Sequence, residues 1–141
     1  MSDALVKTID GLTASLSDLF ARIAERTGDE NGISRGSYGE AETAAAEILM
    51  DYARRQGLDV GYDRVGNVTV TAQGQFETDP EILIGSHIDS VPRGGNYDGL
   101  AGVIAGIGTL VALEACGLGT QRGVRVIGFR GEESPWFGTA Y

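Results

Sequence analysis

Two short apolar runs, Ile82-Leu83-Ile84 and Val124 to Phe129, flank a stretch of small and apolar residues from Leu100 to Ala115. No other part of the chain limits the fold so tightly. Short runs of this kind read as strands covered on both faces. The stretch between them reads as a helix whose Gly102, Ala105, Gly106 and Thr109 allow close packing on a sheet. Strand, helix and strand in this order predict a right-handed βαβ crossover, which makes the two strands parallel. Their carboxyl ends then share one edge of the sheet, where ligands of open α/β sheets bind.

The upstream sequence predicts two helices and a hairpin. Ile9, Leu12, Leu16, Leu19, Phe20 and Ile23 fall on one helical face, with Gly28 as a stop. Thr27 to Gly39 is polar and glycine-rich and reads as a loop. Ser37-x-x-Glu40 has the form of a capping box. A stripe follows through Ala41, Ala44, Ala45, Ile48, Leu49, Tyr52 and Ala53, and Gly57 ends it. Leu58, Val60 and Tyr62, then Val68, Val70 and Ala72, alternate with polar or small residues. Gly66-Asn67 between them marks the turn of a β-hairpin. The fold class is α/β, and 141 residues fit one domain.

Composition removes several functions. Twenty acidic against 11 basic residues give a net charge of -9, which argues against nucleic acid and anionic membranes as partners. The longest uncharged apolar stretch, Gly99 to Leu113, is glycine-rich and short of the roughly 20 residues of a membrane span. Cys116 is alone, so no internal disulfide forms. Met1 to Asp10 holds no apolar targeting segment. The expected location is the cytoplasm.

The predicted edge carries the chemistry. His87, the one histidine of the chain, ends the first strand, and Asp89 follows two residues later. Asp98 precedes the crossover helix, and Glu132-Glu133 follows the second strand. A hydrolytic metal site needs imidazole and carboxylate ligands and an open position for water. His87, Asp98 and Glu133 are suitable ligands. Asp89 is placed to fix the His87 tautomer through its far nitrogen. Asp98 is able to bridge two metals, and Glu132 to take a proton from water and pass it to a leaving nitrogen. Each residue also has an ordinary use: a polar strand cap for His87, a helix N-cap for Asp98, a turn for Asp89, a solvated pair for the glutamates. Their convergence on one edge favours the metal. Gly94-Gly95-Asn96 and Gly106-x-Gly108 lack the order of a phosphate loop. Ser86, Ser90, Ser134 and Cys116 find no second histidine to serve as base.

HIDSVPRGGNYDG and GFRGEESPWFG, with the Ser37-to-Gly57 helix and the Asp63-x-x-Gly66-Asn67 turn, resemble the hydantoinase/carbamoylase group of metal-dependent amidases. This group includes N-carbamoyl-L-amino-acid hydrolases, allantoate amidohydrolases and β-ureidopropionases, within the zinc aminoacylase and dipeptidase superfamily. The likeness runs from about Gly11 to Tyr141. It implies a zinc-exopeptidase-like catalytic domain with a mixed sheet and flanking helices, acting on linear amide or ureido C–N bonds. It implies two divalent ions, zinc, manganese, cobalt or nickel. His87 looks like a terminal ligand, Asp98 the bridge, Glu133 a ligand of the second ion, Glu132 the general base and Asp89 the orienting group. The substrate is expected to be a small N-carbamoyl or ureido compound.

The group also uses two further histidines and a lid that supplies an arginine and dimerises. Residues 1–141 are therefore expected to be the N-terminal part of one catalytic domain of a homodimer, incomplete at its C-terminus and inactive alone. A dipeptidase or aminoacylase of the same superfamily, or a non-catalytic remnant, are the alternatives. An incomplete sheet is expected to leave Val124 to Phe129 on an open edge or an uncovered apolar surface.

Overall fold

The apolar stripe of the N-terminal segment forms α1 (Asp3–Thr27), which buries Leu19 and Ile23 fully. The computed structural model describes residues 3–75, 82–118, 122–133 and 136. After α1, β1 (Gly28–Asp29) and β2 (Gly32–Ile33) make a minimal antiparallel hairpin inside the segment expected to be all loop. The Asn31 N–H donates to Asp29 Oδ1 at 2.7 Å and closes its turn.

α2 (Glu40–Arg55) starts differently from the sequence expectation. Gly39 is its N-cap and no side chain caps it, so Ser37-x-x-Glu40 is not a capping box. The Ser37 hydroxyl donates instead to Asp89 Oδ2 at 2.6 Å. A bond to a buried carboxylate is stronger than one neutral bond at a helix end. Gly57, at φ 80°, follows the helix as expected.

β3 (Asp59–Tyr62) and β4 (Val68–Thr71) form the predicted hairpin. Its loop is organised by Asp63, whose Oδ1 accepts the Val65 and Asn67 N–H groups, each at 2.9 Å. Gly66 supplies the positive φ of 90°.

β5 (Ile82–His87), α3 (Leu100–Ala115) and β6 (Val124–Phe129) are the strand–helix–strand unit, and β5 and β6 are parallel neighbours. The sheet order is β3-β4-β6-β5, with β4 and β6 antiparallel, so the sheet is mixed. α2 and α3 pack on the sheet, and α1 packs on both helices. The core joins Leu49 and Ala53 of α2, Val103 and Ile107 of α3, and Val68, Val70 and Val126 of the sheet. A Cβ on Gly106 would lie 2.9 Å from Val126 and 3.0 Å from Ile84. One on Gly102 would lie 2.6 Å from Ser86 Cβ. Each helical glycine costs about 1 kcal/mol against alanine, and the close approach of α3 to the sheet is the reason for them.

Two expectations about the strands are corrected. β5 is not covered on both faces: it is an edge strand among the described residues, with Leu83 60% exposed. β6 is an interior strand whose burial alternates along its length. The open edge thus belongs to β5 and not to Val124 to Phe129. Along β6 only the terminal Phe129 is exposed, at 42%. A short apolar run does not reveal which of its faces has a helix to cover it. No helix among the described residues is long and apolar enough to cross a membrane.

Candidate metal centre

Parallel pairing brings the two motifs together. His87 is in register with Phe129, so residues after both strands emerge at the same sheet edge. The His87 ring is mostly buried. Its Nδ1 lies 3.0 Å from the Asp89 main-chain oxygen. A carbonyl only accepts, so Nδ1 carries the hydrogen and Nε2 presents its lone pair. Nε2 faces Asp98 Oδ1 at 3.6 Å and Glu132 Oε2 at 3.8 Å. His87, Glu132 and Glu133 each offer a ligand atom within 4.8 Å of one another.

These distances exceed a hydrogen bond. Two ligands held about 2.1 Å from a tetrahedral ion sit about 3.4 Å apart, close to the observed spacing. The donor types fit a divalent metal. Electrostatics agrees: burial pushes the Glu133 carboxyl above its usual range, His87 opposes this, and Asp98, Glu132 and Asp89 push it further. Four carboxylates around one imidazole repel one another, and a cation relieves them.

Asp98 does not cap α3. The N-cap is Gly99, at φ 64°, with no side-chain bond, and the Asp98 side chain is 60% exposed on the His87 side. A Cβ on Gly99 would overlap the His87 ring. The Asp98 loop is also tied to α1, because Tyr97 meets Phe20 edge-to-face with ring centroids 5.0 Å apart.

Asp89 is fully buried and does more than face His87. Its Oδ1 lies 3.4 Å from His87 Nδ1. Its carboxylate accepts the main-chain N–H of Glu132 at 3.2 Å and of Glu133 at 2.9 Å, besides the Ser37 hydroxyl. The first motif therefore holds the second by its backbone.

Sequence reasoning missed a group of buried charges behind the site. Glu42 is fully buried and accepts the Tyr38 N–H at 2.6 Å, the Gly131 N–H at 3.1 Å and Arg130 Nε at 2.7 Å. Arg130 also donates from Nη2 to Thr43 and lies 5.1 Å from the Tyr38 ring centroid. These contacts shape the turn that delivers Glu132 and Glu133. Arg35, also fully buried, bonds the main chain of Ile88, the residue after His87. The one available signal was the arginines flanking the motifs, which local pattern alone assigns to solvent.

Residues 67–141 match Peptidase family M28. The chain belongs to this family. The chain is similar to an N-carbamoyl-L-amino-acid amidohydrolase of Pseudomonas sp. (strain NS671), 32% identical over 77% of this chain and 26% of that protein. It is similar to a ureidoglycolate hydrolase of Arabidopsis thaliana, 32% identical over 75% of this chain and 22% of that one. A crystal structure of a hydantoinase/carbamoylase family amidase from Burkholderia ambifaria superposes with a TM-score of 0.76 at 28% identity, covering 85% of this chain and 30% of that one. These likenesses are to the group of amidases that the motifs resemble, and the chain spans about a quarter of the length of the curated relatives it matches.

Proposed function

We propose that the protein hydrolyses the C–N bond of linear ureido or amide compounds, N-carbamoyl amino acids foremost, with two divalent metal ions. The observation that carries this reading is the convergence of His87, Asp98, Glu132 and Glu133 at one sheet edge, with Nε2 of His87 turned toward the carboxylates. His87, Asp98 and Glu133 would hold the ions. The described residues offer one imidazole and three such carboxylates, so this reading takes further ligands from outside residues 1–141. When bound, such ions polarise the scissile carbonyl and acidify water.

Glu132, 60% exposed, is open to water and substrate. Its carboxylate takes the proton of the attacking water and delivers it to the leaving nitrogen. Asp89 keeps Nδ1 of His87 protonated through its main-chain oxygen and positions Glu132 and Glu133 by their N–H groups. The same reading places the protein in the cytoplasm as a homodimer, its pairing surface in a separate lid domain.

The test uses the whole protein loaded with manganese or zinc and assayed for ammonia release from N-carbamoyl amino acids. Glu132→Gln is expected to lower turnover roughly 10²–10⁴-fold with metal content unchanged. Chelation is expected to abolish activity and added metal to restore it. Full turnover in Glu132→Gln would sink the mechanism. The family's peptidase members motivate a second reading, hydrolysis of dipeptides. A side-by-side assay decides between them.

A further inference from the structure

We propose that Arg35 is a positioning residue of the metal site, fixing the distance between His87 and the loop that carries Asp98. This rests on the metal-site reading above. Arg35 is completely buried. Its guanidinium reaches two places that flank the site. Nε donates to the Ile88 main-chain oxygen at 2.7 Å, and Ile88 lies between His87 and Asp89. Nη1 donates to Asn96 Oδ1 at 3.2 Å, two residues before Asp98. Asn96 is itself anchored by its Nδ2, which donates to the Phe20 main-chain oxygen at 2.9 Å. The Arg35 main chain is laced to Ser90, giving its N–H to Ser90 Oγ at 2.9 Å and accepting the Ser90 N–H at 3.0 Å. The guanidinium is therefore a rigid plate between the end of β5 and the Asp98 loop.

Asp98 needs such a plate. Its side chain is 60% exposed, and among the described residues its one ion-pair partner is His87. Its position follows from its loop, and the loop is held by Asn96 and by the Tyr97–Phe20 ring contact.

Stability does not explain the arginine. Burying a guanidinium carries a desolvation penalty that an apolar side chain of similar volume avoids. Nη2 has no hydrogen-bond partner among the described residues, which adds to that penalty. Burial weakens the hold of Arg35 on its proton, and the nearby Asp89, Asp98 and Glu42 counter this. The arrangement makes sense as a fixed positive charge near clustered carboxylates; its own hydrogen bonds go to Ile88 and Asn96 and leave the carboxylate oxygens free of it. Lysine does not substitute, because a single ammonium on a flexible stem lacks the planar fork that spans two acceptors.

The test measures metal binding by the whole protein, with manganese titration by calorimetry and the visible spectrum of the cobalt form. The variants are Arg35→Lys, Arg35→Met and Asn96→Ala. Wild type is expected to bind manganese. Both Arg35 variants are expected to bind it at least tenfold more weakly, with a changed cobalt spectrum and a lower kcat at nearly constant KM. Arg35→Met leaves the Ile88 oxygen and Asn96 Oδ1 without their donor, so its metal-free Tm is expected to fall as well, and affinity and spectrum decide. A purely structural arginine predicts a lowered Tm with unchanged affinity and spectrum, and that result overturns the proposal. If Arg35→Met does not fold, Asn96→Ala, which removes only the Nη1 acceptor and its Phe20 anchor, decides by the same affinity readout. Wild type that binds neither manganese nor zinc overturns both the metal-site reading and this one. Wild-type binding matched by all variants overturns the Arg35 assignment alone.

Discussion

Asp63 illustrates how one carboxylate sets a turn. Burial alone would raise its pKa, but hydrogen bonds from the Asn67 main chain and side chain, Val65 and Gly66 outweigh this and hold it below the usual carboxylate range. The folded state therefore binds the proton less readily than the unfolded one. The resulting stability is present above the unfolded value of about 3.9 and is lost as pH falls through the lower folded value. Asp63→Asn is expected to lower stability at pH 7 by about 1 kcal/mol, with the gap from wild type narrowing below about pH 4. Urea titrations at several pH values measure this, and a pH-independent gap would contradict it. This turn was legible because Asp63 and Asn67 act on their own neighbours. Ser37 was misread for the opposite reason: its partner, Asp89, is 52 positions away. Arg35, Glu42 and Arg130 were illegible for the same reason, since nothing local marks a charge whose partners come from another part of the chain.

At the scale of elements, α3 shows sequence and packing in opposition. Its glycines weaken it as a helix and permit its seat on β5 and β6. Gly106→Ala gains about 1 kcal/mol of helix propensity but pushes a methyl against Val126 and Ile84. Overpacking of this kind costs about 1–3 kcal/mol, so a net loss is expected in urea unfolding. Gly11 of α1 is the internal comparison, because nothing lies within 4 Å of a Cβ there. Gly11→Ala is expected to stabilise by about 0.5–1 kcal/mol. Equal effects at the two sites would refute the packing argument. The strand–helix–strand unit was readable because apolar runs and small residues fall in blocks. The β1–β2 hairpin was not, since two residues per strand carry no period.

At the scale of the molecule, among the described residues, the sheet has helices against one face and presents β5 as an edge. Leu83 on that strand is 60% exposed and Ile82 41%. Exposed apolar edges invite pairing with another chain. The 141-residue chain is expected to self-associate at high concentration, and Leu83→Lys to weaken this severalfold in sedimentation velocity. A monomer at all concentrations would argue against it. Sequence alone did not show this surface, because coverage of a strand depends on elements elsewhere. The meeting of the two motifs at one end of the sheet was legible, since parallel strands bring their ends together whatever else packs around them.

The hold of Asp89 on Glu132 and Glu133 runs through main-chain N–H groups alone. That hold does not depend on which side chains stand at positions 132 and 133. Replacing Glu133 would change the donor set and replacing Glu132 the proton carrier, each without removing an N–H that Asp89 holds, so the edge acts as a socket in which ligand and base can be exchanged separately while the aspartate behind it stays.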